Sequence, residues 1–268
     1  MSISRRLEEA RKAYQSGEGK ASAAAHAPER IAGAFKEEHG RESHQYIGDL
    51  VYGGLDGIIT TFAIVSGVAG ARLGANIILI MGLANLFADG FSMAVGAYLS
   101  SKSEQEYYER ELERESWEVE HFPEGERLEL YEIYRNDGYS DEDASKLVEI
   151  KTRDKRLWIK AMMVDELGLL PDDKTPLKSG LATFIAFLVA GAVPLSVYLV
   201  GLLLPISSTL AFSLSLAFSG LGLFGIGAAK VLVTGLNGFK SGMEMLLVGG
   251  LAAGVAYGIG SLLQGLGG

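Results

Sequence analysis

No Asp, Glu, Lys, Arg or His occurs between Gly180 and Ala229. That stretch is about twice the ~20 apolar residues needed to cross a hydrocarbon core, so it specifies two membrane spans joined by a short turn near Pro205. Soluble-enzyme folds are excluded at once. The average of 21% charged residues looks ordinary only because the charges are gathered into two blocks, residues 1–45 and 102–178. Between and after them lie further apolar runs of spanning length, Ile47–Ala71, Ala75–Ser101 and Gly242–Leu263, beside Gly180–Leu204 and Ile206–Ala229. The expected fold is all-α: a polytopic membrane protein with five transmembrane helices and a cytoplasmic helical insert.

This divides the chain into a cytoplasmic amphipathic segment (1–45), spans one and two (46–101), a Glu-rich three-helix insert (102–178) and spans three to five (179–268). Residues 1–45 lack the apolar core of a signal peptide. They offer two amphipathic helices, near Ser4–Gln15 and Pro28–His39. Small residues recur four apart at Gly250, Gly254 and Gly258, a pattern expected where helix backbones approach closely in lipid. The absence of a targeting extension fits a prokaryotic cell membrane better than the alternative, a vacuolar one.

Short loops rich in Lys and Arg stay cytoplasmic. With the N-terminus inside, Arg72 is the one basic residue of 24 left outside. The N-terminus is therefore expected in the cytoplasm and the C-terminus outside.

With no Cys and four His, none in an HExxH spacing, a zinc site of thiolates or imidazoles is excluded, and any metal must be held mainly by oxygen. A net charge of −9 argues against a nucleic-acid partner, since phosphate neutralisation needs clustered cations.

In the insert, the second span is expected to run on through Ser103–His121, because nothing breaks it before Pro123 and Gly125. A second helix covers Glu126–Arg135 and ends at the turn signal Asn136-Asp137-Gly138. Ser140 with Asp143 resembles a capping box, so a third helix starts there, and it or a successor continues through Trp158 to Gly168. From Glu104 to Glu132, twelve Glu face three Arg. A solvated helix face is the ordinary reading of a charge run, but such faces mix signs at i,i+4 spacing, and this one does not. Glu111, Glu115 and Glu118 share one helix face, Glu126 and Glu129 share a face of the next, and folding the hairpin converges them. Clustered carboxylates without His or Cys suit a divalent cation such as Fe²⁺, Mn²⁺, Mg²⁺ or Ca²⁺. Met162 and Met163, four and three residues before Glu166, tilt the choice toward a softer transition metal if their thioethers reach the site. Otherwise they are core filler.

Inside the spans the exceptional residues are Asp56 and Asp89. An ionised side chain at that depth costs ~2.5–3.5 kcal/mol on insertion scales, so it marks a pathway or has a partner. Lys230 is a poor partner because it can snorkel to water. Met93, one turn after Asp89, adds a soft ligand, and Thr60 and Asn85 extend a polar stripe along both helices.

Asp56-Gly57, the run Ala88-Asp89-Gly90-Phe91-Ser92-Met93, then Tyr98-Leu99-Ser100-Ser101-Lys102-Ser103-Glu104 and the Glu-rich insert resemble the vacuolar iron transporter family over about residues 45–265. The resemblance implies a five-span homodimer that exports divalent iron from the cytosol in exchange for protons, along a pathway between the subunits. It implies cytoplasmic metal ligands at Glu115, Glu118, Glu126, Glu129 and Glu166, with Met162 and Met163 beside them, and intramembrane ligands at Asp56 and Met93. Plant members of the family carry Glu where this chain has Asn85 and a small residue where it has Asp89, so Asp89 is expected to take over the acid's role. No prosthetic group is implied; Fe²⁺, with Mn²⁺ and Co²⁺ as further candidates, is cargo.

Two rival readings follow from the same residues. One is a membrane-anchored di-iron ferroxidase, but such centres normally use paired Glu-x-x-His motifs, and Glu118-Val-Glu-His121 occurs once. The other makes the insert a metal sensor or docking bundle on a transporter of something else.

Overall fold

The apolar runs all become helices in the computed structural model, which describes residues 5–28, 45–172, 174–231 and 237–266. In chain order the helices are α1 Arg5–Ser16, α2 Gly19–Ala25, α3 Ile47–Gly70, α4 Ala75–His121, α5 Pro123–Asn136, α6 Asp141–Lys151, α7 Lys155–Ala161, α8 Pro176–Val200, α9 Ser208–Ala229 and α10 Gly238–Leu262. No strand forms among the described residues. Among the described residues five helices, α3, α4, α8, α9 and α10, are long and apolar enough to cross a membrane. The protein is thus an all-α, multi-pass membrane protein.

The span bounds shift where capping chemistry overrides hydropathy. α8 starts at Pro176, whose missing N–H is harmless in a first turn, and not at Gly180. α10 starts at Gly238, because the Asn237 side chain accepts from the amides of Phe239 and Lys240. At the N-terminus α1 forms near its expected place, and α2 forms where no helix was expected. The helix expected near Pro28–His39 lies outside the described residues, apart from Pro28 itself.

Contacts divide the chain into two compact units, residues 1–97 with 177–268, and residues 98–176. In the first, Val65, Val68, Ile78, Leu86, Phe187, Leu195, Tyr198 and Ala211 build a core shared by α3, α4, α8 and α9. Helix backbones touch at glycines. A Cβ at Gly57 would come within 2.5 Å of the Phe187 carbonyl of α8, and one at Gly260 would overlap the Gly67 carbonyl of α3. The stripe Gly250, Gly254, Gly258 does not serve this purpose, because a Cβ at any of the three meets nothing within 4 Å. Gly238, Gly242, Gly249 and Gly260 are the glycines of α10 that meet neighbouring helices.

The second unit contains the end of α4, then α5, α6 and α7. The third helix does have a successor: α6 ends before residues 152–154, where the Asp154 carboxylate accepts from the amides of Arg156 and Leu157 and so starts α7. Ser140 caps α6 by accepting from the Asp143 amide. The core is formed by Val119, Leu130, Tyr134, Ala144, Val148, Trp158, Ala161 and Met162.

Candidate metal centre

Pro123 ends one helix and begins the next, and the reversal it creates lays α5 back along the end of α4. Glu115 and Glu118 project from α4, Glu126 and Glu129 from α5. Glu166 comes from a π-helical turn, Met162–Glu166, that follows α7; in it the Leu167 amide bonds the Met162 carbonyl. A π turn within a helix is uncommon and often marks a functional site.

These residues form two trios. One carboxylate oxygen each from Glu115, Glu118 and Glu126 lie within 4.8 Å of one another, and so do oxygens of Glu126, Glu129 and Glu166. Two oxygens bound to one ion are separated by at most twice the bond length, about 5 Å for the 2.3–2.6 Å bonds of a large hard cation. Each trio therefore has the reach to hold one divalent ion. Glu126 belongs to both and is placed to bridge them.

Burial differs across the group. Glu115 is 0% exposed and Glu126 5%, whereas Glu129 and Glu166 face solvent. Oε2 of Glu115 and Oε2 of Glu126 have no hydrogen-bond partner, a costly state for buried carboxylates. Arg114 is the only basic side chain paired with the group among the described residues. Its Nη2 lies 2.5 Å from Glu115 Oε1, though not aligned as a hydrogen bond, and it also pairs with Glu118 and with Glu111 at 2.9 Å. Five carboxylates around one guanidinium leave a large excess of negative charge.

The electrostatic consequence is direct. Burial, then repulsion from Glu166, pushes the Glu115 carboxyl up to about 7. Burial, then the charge of Glu115, pushes Glu126 up to about 7 as well. Glu166, exposed as a residue but with its carboxyl partly shielded among the other glutamates, is raised by that shielding and then by Glu129. Glu111, on the same face of α4, behaves oppositely, because hydrogen bonds from Arg114 and Arg110 hold its carboxyl below the usual range. It is an ion-paired residue outside both trios.

Met162 and Met163 are 0% and 1% exposed. Met162 packs into the core of the unit, which accounts for its burial, while Met163 stands three residues before Glu166 in the same π turn. His121 joins neither trio: it is exposed, stacked on Trp117 at 4.3 Å, with its Nδ1 2.8 Å from the Trp117 carbonyl. Sequence reasoning missed the part played by Arg114. Its i−3, i+1 and i+4 spacing to Glu111, Glu115 and Glu118 was the available signal. The π turn had none.

In the membrane-spanning unit, Asp56 of α3 and Asp89 of α4 are partly buried and near enough for their charges to repel. Neither joins a group of three ligands among the described residues. The Thr60 hydroxyl donates to the Asp56 carbonyl at 2.8 Å, Asn85 Nδ2 is buried without a partner, and Met93 packs against the apolar core.

A family model described as the VIT family matches residues 47–261. The chain is similar to a vacuolar iron transporter of Toxoplasma gondii, 42% identical over 97% of this chain and 89% of that one. It is similar to one of Plasmodium falciparum, 38% identical over 73% of each chain, and to vacuolar iron transporter 1 of Arabidopsis thaliana, 32% identical over 85% and 91%. These relatives are named for the vacuole, and nothing among them supports the expected prokaryotic cell membrane.

Proposed function

The chain belongs to the VIT family, and from that premise we propose that it exports Fe²⁺ from the cytosol in exchange for protons. It is a membrane transport protein and not an enzyme, as its relatives' names imply. The observation that carries the reading is the pair of glutamate trios sharing Glu126, with buried oxygens that lack any hydrogen-bond donor. Such oxygens are satisfied by a cation or a proton. The trios collect ions on the cytosolic side and raise their concentration near the spans. Asp56, with Asp89 beside it and Met93 one turn on, passes the ion across, and Asn85 adds a neutral oxygen to the same stripe. The passage lies between two copies of the chain, so the working unit is a homodimer. Mn²⁺ and Co²⁺ share enough ligand chemistry with Fe²⁺ to follow the same route.

Coupling follows from competition. A carboxylate cannot hold a proton and a divalent ion on the same oxygens, so an acid that releases metal on the far side returns loaded with a proton. The N-terminus is on the cytosolic side and the membrane is that of a vacuole-like compartment, in keeping with the relatives' names.

The test is Fe²⁺ flux into liposomes holding the full chain, with and without an opposing pH gradient. Flux is expected to require the gradient and to fall at least about tenfold in Asp56→Ala. Equal rates without the gradient would remove the antiport. The ferroxidase reading loses its footing because His121 stands apart from the carboxylates, and O₂ uptake on adding Fe²⁺ is expected to stay at background.

A further inference from the structure

Glu166 is the one member of the trios that comes from neither arm of the α4–α5 hairpin. It is exposed, and among the described residues no hydrogen bond or ion pair holds its carboxylate. Its place beside Glu126 and Glu129 is therefore set by the backbone of the π turn. No continuing helix fixes the rotation of that turn, because the chain leaves it at Gly168 with φ +64°. Side chains within the turn must do so.

At the start of the turn Met162, 0% exposed, belongs to the core that includes Leu130 and Tyr134 of α5. Near its end stands Asp165, one residue before Glu166, and two helices hold it. The Tyr134 hydroxyl of α5 donates to Asp165 Oδ2 at 2.8 Å, and the Lys151 ammonium, from the last turn of α6, lies 3.2 Å from the same oxygen. Both contacts are charge-assisted, roughly twice as strong as neutral hydrogen bonds. Tyr134, 5% exposed, follows Glu126 and Leu130 along the buried face of α5. One helix face thus carries both the glutamate that the trios share and the anchor of the turn that delivers Glu166. Neighbouring helical residues point roughly 100° apart, so holding Asp165 fixes the direction of Glu166.

We propose that Asp165 is a positioning residue of the metal centre: clasped by Tyr134 and Lys151, it fixes the π turn so that Glu166 faces Glu126 and Glu129. Asp165 itself belongs to neither trio. The inference rests on the reading of the trios as metal sites.

The experiment is calorimetric titration of the metal-free full chain in detergent with Mn²⁺. Glu166→Gln identifies the affinity that belongs to the Glu126–Glu129–Glu166 trio. Asp165→Ala and Asp165→Asn remove the same charge, but Asn keeps an oxygen that accepts from Tyr134 and Lys151. Asp165→Ala is expected to weaken that trio at least about tenfold and to leave the Glu115–Glu118–Glu126 trio within about twofold. Asp165→Asn is expected to restore most of the loss, and Tyr134→Phe to weaken the same trio severalfold. Weakening of both trios alike, equal affinities in Asp165→Ala and Asp165→Asn, or an unchanged Tyr134→Phe overturns the proposal while the trios stand. A wild type that takes up no Mn²⁺, or binding indifferent to Glu166→Gln, overturns the trio reading and the proposal with it. If Asp165→Ala does not fold, the near-isosteric Tyr134→Phe decides alone.

Discussion

Glu126 concentrates the conflict between stability and metal capture in one side chain. It lies in both trios, it is 5% exposed, and its carboxyl is raised to about 7 by burial and by Glu115. A carboxyl raised in the fold stabilises the protonated protein, and that contribution is lost as pH climbs from the ordinary carboxylate range through about 7. The metal-free protein is therefore expected to melt at a lower temperature at pH 8 than at pH 5.5. Metal affinity runs the other way: below about 7 each ion must displace protons, so affinity rises up to about tenfold per pH unit for each proton displaced, then levels off. Glu126→Gln is expected to raise the melting temperature of the metal-free protein at pH 8 and to weaken Fe²⁺ or Mn²⁺ binding by at least about tenfold. Glu113→Gln, an exposed acid outside both trios, is expected to do neither. Calorimetry over pH 5.5–8 checks both signs; unchanged affinity in Glu126→Gln would detach the trios from metal. The residue types and the convergence of α4 and α5 were legible in the sequence, because i,i+4,i+7 spacing before Pro123 and i,i+3 spacing after it leave few alternatives. The burial of Glu115 and Glu126 was not, since it depends on how the helices of the unit close around a core that includes Trp158, Met162 and Leu130.

At the scale of elements, continuity was easier to read than contact. α4 runs unbroken for 47 residues because no glycine pair or proline interrupts it before Pro123. Whether one helix or two would cover residues 141–161 stayed open because Thr152-Arg153-Asp154 carries no glycine or proline, and only the Asp154 cap marks the restart. The glycines of α10 show a different limit. Periodicity says which residues share a face, but in lipid an apolar or small-residue face is acceptable with or without a neighbour, so it does not say which face is covered. Gly250, Gly254 and Gly258 meet nothing, whereas Gly57, beside Asp56, lets α3 touch the α8 backbone at Phe187. Gly57→Leu is expected to prevent folding or displace Asp56, seen as loss of the monodisperse peak in size-exclusion chromatography and of Fe²⁺ flux. Gly254→Leu is expected to change the stability of the folded chain by less than about 1 kcal/mol. A well-folded, fully active Gly57→Leu protein would contradict the close approach on which the position of Asp56 rests.

For the whole molecule, hydropathy sufficed to count five spans, because a bilayer admits few other uses for such helices. The placement of the termini rests on a separate physical asymmetry. An odd number of spans would put them on opposite faces, and the proposed orientation, with the N-terminus in the cytosol, would leave only Arg72 of 24 basic residues outside. Reversing the orientation would carry the dense Lys and Arg of residues 1–45 and 102–178 across the membrane, against the bias that retains basic loops on the cytosolic side. The chain contains no Cys, so a single introduced thiol is a unique reporter. Ser16→Cys at the end of α1 and Gln264→Cys beyond α10 lie at exposed positions. In sealed vesicles whose outer face is cytosolic, a membrane-impermeant maleimide is expected to label Ser16→Cys at once and Gln264→Cys only after permeabilisation. The opposite pattern would turn the glutamate trios away from the cytosol and convert the proposed exporter into an importer with the same ligands.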